Sequence, residues 1–391
     1  MKKIAGSLVV VAFILMCSFP THGQVMTGAQ SVDEYVRLLK GKRVSILSNQ
    51  TGMVTSTVHV LDTLLSLGVN VVSIMSPEHG FRGEADAGEH VSSSIDQKTG
   101  IPIKSLYERG VDGLGADALK EVDVLIFDLQ DVGVRFYTYL TTMTRAMESC
   151  AKMGKQMIIL DRPNPIGFYV DGPILDMKYK SGVGWLPIPV VHGMTFGELA
   201  GMINGEGWLP DGIQCDIIVI RCKNYDHSTM YSLPVKPSPN LPDMRSIYLY
   251  PSMCYFEATP VSLGRGTDTP FQIYGHPNMS GYEFSFTPRS VPGAKNPPQL
   301  NRLCHGVDLS KSPSIEEINS KGINLEYVID AYRNLNLDDH FFRSFFELLI
   351  GRDYVRKMIK EGKSADEIKA TWSGEVEQFK LQRHQYLLYK E

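Results

Sequence analysis

Short apolar runs alternate with amphipathic segments along the first part of the chain. Five of these runs have the length and composition of buried strands, at 43–47, 69–75, 122–127, 157–160 and 215–220. Segments with apolar residues at helical spacing lie between them, at 58–68, 140–154 and 195–204. Strands that alternate with helices in this way predict a mostly parallel sheet with right-handed crossovers, which is an α/β fold.

Residues that favour helix ends mark some of the element boundaries. Ser31 and Glu34 have the spacing of a capping box and predict a helix that reaches residue 40. Gly68 and Gly154 follow apolar helical stripes, so we expect a helix to end at each of them.

The pattern changes after residue 233. Four prolines occur in 233–242, and the residues that follow are rich in Gly, Pro and aromatic residues, without a clear helical period until about residue 325. Alternation at 282–286 predicts a half-buried strand, and Ser364 with Glu367 opens a C-terminal helical segment. We therefore expect one domain over residues 24–240 and a smaller α+β domain over residues 241–391.

The first 23 residues have the three parts of a secretory signal. Lys2 and Lys3 precede a short apolar stretch, which ends in small residues near Gly23. We expect cleavage there and an exported protein, periplasmic or secreted; a lipoprotein anchored through Cys17 is the alternative. Loss of the two lysines changes the formal net charge from −4 to −6, and no basic stripe remains, which argues against nucleic acid as a partner.

The cysteines do not form the pattern of a disulfide framework. Five remain after the leader, an odd number spread widely along the chain. We expect small buried hydrophobic residues, with a bond between Cys215 and Cys222 as the alternative in an oxidising compartment.

Several common enzyme classes lack their motifs in this sequence. A loose G-x-G-x-x-A pattern at 113–118 follows a polar loop instead of a buried strand, so it does not indicate a dinucleotide site. The chain has no P-loop, no G-x-S-x-G nucleophile elbow and no H-E-x-x-H metal helix. We expect no nucleotide cofactor, no other cofactor and no metal.

Charged and polar clusters follow three of the predicted strands, at 76–83, 128–137 and 161–165. If these strands are parallel neighbours, the clusters gather on one rim of the sheet, where open α/β proteins bind their ligands. Carboxylates near Arg, Asn, Gln and Tyr suit carbohydrate chemistry, in which a carboxylic acid protonates a glycosidic oxygen. Structural roles are the alternative: Asp128 and Asp161 as caps of loop amides, and Arg135 as their counter-ion.

The same clusters belong to a longer series of motifs. In chain order these are Ser-Asn-Gln-Thr-Gly at 48–52, Pro-Glu-His-Gly at 77–80, the stretch 128–139, Leu-Asp-Arg-Pro-Asn-Pro at 160–165, His-Gly-Met-Thr at 192–195, Pro-Ser-Pro-Asn at 237–240 and Gly-Arg-Gly-Thr at 264–267. Across essentially the whole mature chain, the sequence resembles the NamZ-like exo-β-N-acetylmuramidases. The resemblance implies a Rossmann-like domain with helices on both faces of its sheet, a smaller second domain, and a cleft between them. It also implies removal of N-acetylmuramic acid from the non-reducing ends of peptidoglycan fragments.

Site roles follow from this resemblance as expectations. Glu78 is the leading candidate for the general acid, because a carboxyl beside an aromatic residue such as Phe81 can hold a proton near neutrality. A second acidic role is expected from Asp128, Asp131 or Glu257, and retaining, inverting and acetamido-assisted mechanisms all stay open. A fixed arginine fork suits the lactyl carboxylate, which makes Arg135, Arg162 and Arg265 candidates. The remaining expected substrate ligands are Gln130, Tyr137, Tyr139, Asp161, Asn164, His192, Ser238 and Asn240.

Two other functions are possible for this sequence. One is a non-catalytic periplasmic protein that binds cell-wall sugars between its domains. The other is an amidase or esterase, for which Ser238 near His192 is the pair that would supply a nucleophile and its base.

Overall fold

The computed structural model describes residues 23–78, 80–82, 93–106 and 116–391. The predicted leader with Cys17, the motif residue His79 and the glycines of the 113–118 pattern lie outside these ranges.

The described strands of the first domain form one sheet in the order β3-β4-β2-β1-β5-β6-β7. Their bounds are β1 Val44–Ser48, β2 Val71–Ser76, β3 Ser94–Ile95, β4 Pro102–Ser105, β5 Val124–Asp128, β6 Gln156–Leu160 and β7 Asp216–Ile220. All neighbouring pairs are parallel except β3 with β4, which is antiparallel. The predicted mostly parallel sheet is confirmed.

Helices cover both faces of this sheet, and alternating strand residues point to one face or the other. Val124 and Ile126 share a hydrophobic cluster with α1 and α2, whereas Leu125 and Phe127 belong to a second cluster with α4 and α5. The helices of this domain are α1 Val32–Tyr35, α2 Val60–Ser66, α3 Ala116–Leu119, α4 Tyr139–Lys152 and α5 Phe196–Gly205. The second cluster continues into the C-terminal part, so the two domains share it.

Helix ends follow the sequence signals with one exception. Gly68 and Gly154 adopt φ of 72° and 60°, the left-handed conformation expected just after a helix. The capping box predicted at Ser31 is wrong, because the side chain of Ser31 makes no capping bond and its hydroxyl has no described partner. The reciprocal pair is instead Thr27 with Gln30, one turn earlier, and the helix predicted to reach residue 40 tightens to a 3₁₀ helix over Val36–Leu39.

The smaller C-terminal domain combines a second sheet with short helices, as predicted. Its described strands are β8 Ile273–His276, β9 Phe284–Phe286 and β10 Cys304–Asp308, in the antiparallel order β8-β10-β9. Its helices are α6 Met244–Met253, α7 Ile315–Lys321, α8 Glu326–Leu335, α9 Phe345–Ile350, α10 Tyr354–Lys360, α11 Ala365–Ala370 and α12 Ser373–Arg383. The sequence did not predict α6, which contains Pro251.

The cysteines outside the leader are buried and free of disulfide bonds. Cys222 Sγ contacts the main-chain oxygen of Asp161 at 3.3 Å and does not bond Cys215. Within the described ranges, no helix has the length and apolar character of a membrane span, and no cluster of His, Cys, Asp and Glu could hold a metal ion.

Candidate active site

Glu78 lies in the turn that follows β2, and its side chain is almost completely buried. Thr138 Oγ1 donates a hydrogen bond of 2.6 Å to Oε2 of Glu78. Thr138 immediately precedes α4, yet its hydroxyl makes no capping bond to that helix. The hydroxyl therefore orients the carboxyl group of Glu78.

Two tyrosines extend the polar surroundings of Glu78. Asn49 Nδ2 donates to Tyr139 OH at 2.8 Å, and Tyr139 OH donates to the main-chain oxygen of Glu78 at 3.3 Å. Tyr137 packs edge-on against Tyr139, with ring centroids 4.7 Å apart. Burial raises the pKa of both phenols, and the Glu78 carboxylate raises the pKa of Tyr139 further. Both phenols therefore stay protonated and act as donors.

The order of strands brings these residues together. β1 lies between β2 and β5, all three run parallel, and so Asn49, Glu78 and Thr138 follow neighbouring strands at one edge of the sheet. Gly80 has a φ of 75°, a conformation that favours glycine, and it lets the chain turn directly after Glu78.

A groove of about 830 Å³ lies between the two domains beside these loops. We call it the inter-domain groove; it is lined by Gln50 and by residues within 235–239 and 290–295. Gln50 Nε2 donates to the main-chain oxygens of Lys236 and Pro237, at 3.1 and 3.3 Å. Tyr137 OH donates to the same oxygen of Pro237 at 2.9 Å, which connects the groove to the tyrosines beside Glu78.

The second domain contributes an ion pair near the same aromatic residues. Arg265 Nη2 lies 2.7 Å from Glu257 Oε1, and the two side chains are 17% and 25% exposed. Both charges act on the phenol of Tyr250, whose ring is edge-on to Tyr137 at 6.4 Å between centroids. Because Arg265 and Glu257 are only partly buried, both remain accessible to a ligand.

Asp128 and Arg162 face the other side of the sheet. Asp128 continues the alternation of Val124 and Ile126, which point toward α1 and α2. Its carboxylate oxygens accept from Arg162 Nε at 2.6 Å and Nη2 at 3.1 Å, and both side chains are buried. The expected convergence of Asp128 and Arg162 with Glu78 is therefore not observed.

Asp161 also serves the structure of the first domain. Its carboxylate accepts from Thr195 Oγ1 at 2.7 Å, from the Gly197 amide at 2.9 Å and from Tyr389 OH at 2.7 Å. These bonds tie the end of β6 to the start of α5 and to the C-terminal residues. Burial raises the pKa of Asp161 to about 6, although its three donors oppose that shift. Asp161 is not placed as a substrate ligand.

Asp131 and His192 form a buried contact of their own. His192 Nδ1 accepts from the Met194 amide at 3.2 Å, so Nε2 carries the ring proton, and Nε2 lies 3.3 Å from Asp131 Oδ2. The two groups are close, but they are not aligned as a hydrogen bond, and neither Asp131 oxygen has another described partner. Ser238 Oγ instead accepts from the Asn240 amide, so the described residues do not form the pair of Ser238 with His192.

Arg135 is enclosed, and main-chain oxygens accept from both of its Nη atoms. Its Nη1 donates to the oxygens of Pro173 and Ile188, and its Nη2 donates to those of Leu349 and Ile350, at 2.6 to 3.0 Å. Its side chain has no exposed surface, and burial lowers its pKa to about 10. Arg135 therefore joins the two domains, and its placement contradicts the expectation that it binds a lactyl carboxylate.

Three other expected ligands connect loops to one another. Gln130 Nε2 donates to the main-chain oxygens of Asp131 and Pro163. Asn164 Nδ2 donates to Met194 O, and Asn240 Nδ2 donates to Gly293 O, both at 2.9 Å. Asn240 thereby joins the two walls of the inter-domain groove.

Sequence reasoning did not select three residues that the structure places at the site. Thr138 contacts the Glu78 carboxyl, Asn49 orients Tyr139, and Gln50 lines the groove. Asn49 and Gln50 follow β1 in the same way that Glu78 follows β2. This position after a predicted strand was the feature of the sequence that could have identified them as site residues. Thr138 lies in the recognised stretch 128–139, but a threonine before a helix ordinarily indicates a cap.

Comparison with known proteins agrees with this architecture. The sequence-family model of the N-terminal domain of exo-β-N-acetylmuramidase NamZ matches residues 44–245 of this chain. The family model of its C-terminal domain matches residues 248–389. Peptidoglycan β-N-acetylmuramidase NamZ from Bacillus subtilis strain 168 is 38% identical over 388 residues, which cover 94% of this chain and 92% of that protein.

Two crystal structures of DUF1343 family proteins from Bacteroides fragilis NCTC 9343 are also similar. One is 62% identical with a TM-score of 0.88, and the alignment covers 94% of this chain and 100% of that one. The other is 29% identical with a TM-score of 0.78, covering 94% and 99%. Since the two domain models span most of the sequence and the Bacillus relative aligns over nearly its full length, this chain belongs to the NamZ exo-β-N-acetylmuramidase family.

Proposed function

We propose that this chain is an exo-acting glycosidase that releases N-acetylmuramic acid from the non-reducing ends of peptidoglycan fragments. Family membership supports the reaction class, and the placement of Glu78 carries the proposal for this chain. Glu78 is a nearly buried carboxyl at the sheet edge, oriented by Thr138, and the phenol of Tyr139 donates to its main-chain oxygen. Such a group can protonate a glycosidic oxygen in a site from which water is largely excluded.

The substrate cleft is proposed to lie between a domain over residues 24–240 and a domain over residues 241–391. The inter-domain groove beside Tyr137 offers a path for the rest of the saccharide. From its signal-like leader we further propose that the protein is exported. Its substrates would then be cell-wall fragments outside the cytoplasm.

Of the three candidate arginines, Arg265 is proposed to bind the lactyl carboxylate. Arg135 has all its Nη donors on main-chain oxygens, and Arg162 faces the other side of the sheet. Arg265 is partly exposed and uses Nη2 on Glu257. Burial alone would lower its pKa, but Glu257 raises it overall, so the guanidinium stays charged and available to a second carboxylate.

The test is release of N-acetylmuramic acid from a disaccharide whose non-reducing sugar is muramic. Glu78→Gln keeps an acceptor for Thr138, so we expect a folded protein whose kcat is lower by at least about two orders of magnitude. Glu283→Gln, at an exposed position of the second domain, is the matched control and should retain full activity. NMR of the anomer formed first distinguishes inversion from retention.

Two results would contradict the proposal. Saturable binding of the disaccharide without any product, in the wild type, would exclude the glycosidase. Full activity of Glu78→Gln would exclude Glu78 as the general acid.

A further inference from the structure

A second cavity, of about 410 Å³, opens on the first domain. Its walls come from the N-terminal segment 24–30, the loop 53–56 after β1 and the segment 231–235, and Arg162 also lines it. We call it the Arg162 cavity. Its volume lies within the range of small-molecule sites in proteins.

The Arg162 cavity and Glu78 lie on opposite sides of the sheet. Arg162 is paired with Asp128, whose side chain points toward α1 and α2, and the charge of Asp128 acts on Tyr35 of α1. Glu78 instead bonds Thr138 at the start of α4, on the other face. Segment 231–239 contributes residues both to the Arg162 cavity and to the inter-domain groove, and Val235 lines both.

One guanidinium nitrogen of Arg162, Nη1, is available as a hydrogen-bond donor in this cavity. Its Nε and Nη2 atoms bond Asp128, and Nη2 also donates to the main-chain oxygen of Met53 at 3.2 Å. Nη1 makes no hydrogen bond to any residue in the described ranges, on a side chain that is only 3% exposed. Nη1 itself keeps accessible surface, so it is open to the cavity, where a ligand oxygen can replace water as its acceptor.

The lining indicates the chemistry of the ligand. Arg162 is its one charged residue within the described chain, and Asp128 already balances that charge, so a second anion gains little there. The other polar lining groups are the amides and hydroxyls of Gln24, Thr27, Gln30, Thr55, Ser56, Tyr231 and Ser232. Val25, Val54 and Val235 add apolar surface that suits a methyl group.

We propose that the Arg162 cavity binds one neutral N-acetylated amino sugar, without catalysis and separately from the Glu78 site. Hydroxyl and amide groups of the sugar match the neutral polar lining, its acetamido methyl meets the valines, and one of its oxygens accepts from Arg162 Nη1. A sugar without a carboxylate is favoured because the cavity carries no net charge.

In the experiment, the Glu78→Gln protein is titrated with N-acetylglucosamine. Isothermal titration calorimetry and ligand-observed NMR measure the binding. Saturable binding is expected. Ser232→Trp, at an exposed rim position, fills the cavity and should weaken binding at least about tenfold. Ser320→Trp, at an exposed position of α7 outside both the cavity and the groove, is the matched control and should leave the affinity within about twofold.

The same variants separate this proposal from the proposed enzymatic function. With Glu78 restored, Ser232→Trp should hydrolyse the muramic disaccharide at the wild-type rate; loss of hydrolysis would show that the cavity belongs to the catalytic site. An unchanged affinity in Ser232→Trp, or no saturation, would overturn the sugar site while leaving the glycosidase assay unaffected. Tighter binding of N-acetylmuramic acid than of N-acetylglucosamine in this cavity would overturn the preference for a neutral ligand.

Discussion

Thr138 Oγ1 donates a hydrogen bond of 2.6 Å to Oε2 of Glu78 and so orients the carboxyl group proposed as the general acid. A threonine before a helix ordinarily uses its hydroxyl to accept from a main-chain amide of the first turn. At α4 that capping bond is missing. The Thr138 hydroxyl therefore orients the Glu78 carboxyl and does not stabilise the start of α4 as a cap.

Replacing the hydroxyl tests this role. Thr138→Val keeps the shape of the side chain but removes the donor, so the Glu78 carboxyl loses its fixed orientation. We expect kcat to fall about tenfold, which corresponds to about 1.4 kcal/mol in the barrier, with KM nearly unchanged. Steady-state kinetics on the muramic disaccharide measure both constants.

Two further variants complete this test. Thr138→Ser should restore most of kcat, because serine retains the donor. Thr144→Val removes a buried hydroxyl of the same helix that donates to Leu140 O, and its kinetics should match those of the wild type. Equal kinetics for Thr138→Val and wild type would show that the bond has no catalytic effect.

Arg265 is expected to determine specificity for the muramic sugar. Arg265→Lys keeps the positive charge but loses the planar fork that a carboxylate prefers. We expect kcat/KM for a muramic substrate to fall at least about thirtyfold, roughly 2 kcal/mol. The matching N-acetylglucosamine substrate has no lactyl group, so its slow turnover should stay the same. Arg289→Lys, at an exposed position, is the control. An equal loss on both substrates would contradict the assignment.

Arg135 is expected to stabilise the folded protein and not to determine specificity for the substrate. Arg135→Met leaves buried main-chain oxygens of both domains without their donors, and each unsatisfied group costs about 1–3 kcal/mol. We expect the free energy of unfolding in urea to fall by at least about 3 kcal/mol. Arg333→Met, an exposed residue with one long bond to Gly362 O, should change it by less than about 0.5 kcal/mol.

An intermediate variant keeps this prediction testable if Arg135→Met does not fold. Arg135→Lys retains a charged donor but spans fewer of the carbonyl groups, so its stability should lie between those of the wild type and the Met variant. Unchanged stability in Arg135→Lys, with a higher KM for the disaccharide, would instead support contact with the substrate.

The sequence was sufficient for β1, β2, β5, β6 and β7 because each is a compact run of apolar residues, but it did not predict β3 and β4. It was not sufficient for α6, where Pro251, Tyr248 and Tyr250 hide the helical period. All residues from Ser246 to Met253 are buried, so tertiary packing on every side holds the helix, and no amphipathic period marks it in the sequence.

The sequence also located the rim of the site but not the direction of its side chains. Asp128 is the last residue of β5 and pairs with Ser48 of β1, so Asn49 lies one position further along the sheet. Because successive strand residues point to opposite faces, the side chains of Asp128 and Asn49 lie on opposite sides of the sheet. Arg135 shows a second limit, because its partners Leu349 and Ile350 lie more than 200 positions further along the chain. Nothing near Arg135 in sequence indicates that these carbonyls meet it.

Asp161 gives a dependence of stability on pH. Its pKa of about 6 in the folded protein lies above the ordinary value of 3.8, because burial disfavours the charged carboxylate. Between these values the folded protein binds more protons than the unfolded chain. The stabilisation is therefore complete below the unfolded pKa and is lost as the pH rises through the folded pKa.

Asp161→Asn should remove this dependence. The amide still accepts from one of the surrounding donors but does not titrate, so the decrease in unfolding free energy from about pH 4 to about pH 7 should be smaller than in the wild type by on the order of 2–3 kcal/mol. Urea unfolding at both pH values measures the difference. Asp366→Asn, an exposed acid on α11, should retain the wild-type dependence. If Asp161→Asn also retains it, then Thr195, Gly197 and Tyr389 stabilise the carboxylate enough to outweigh its burial.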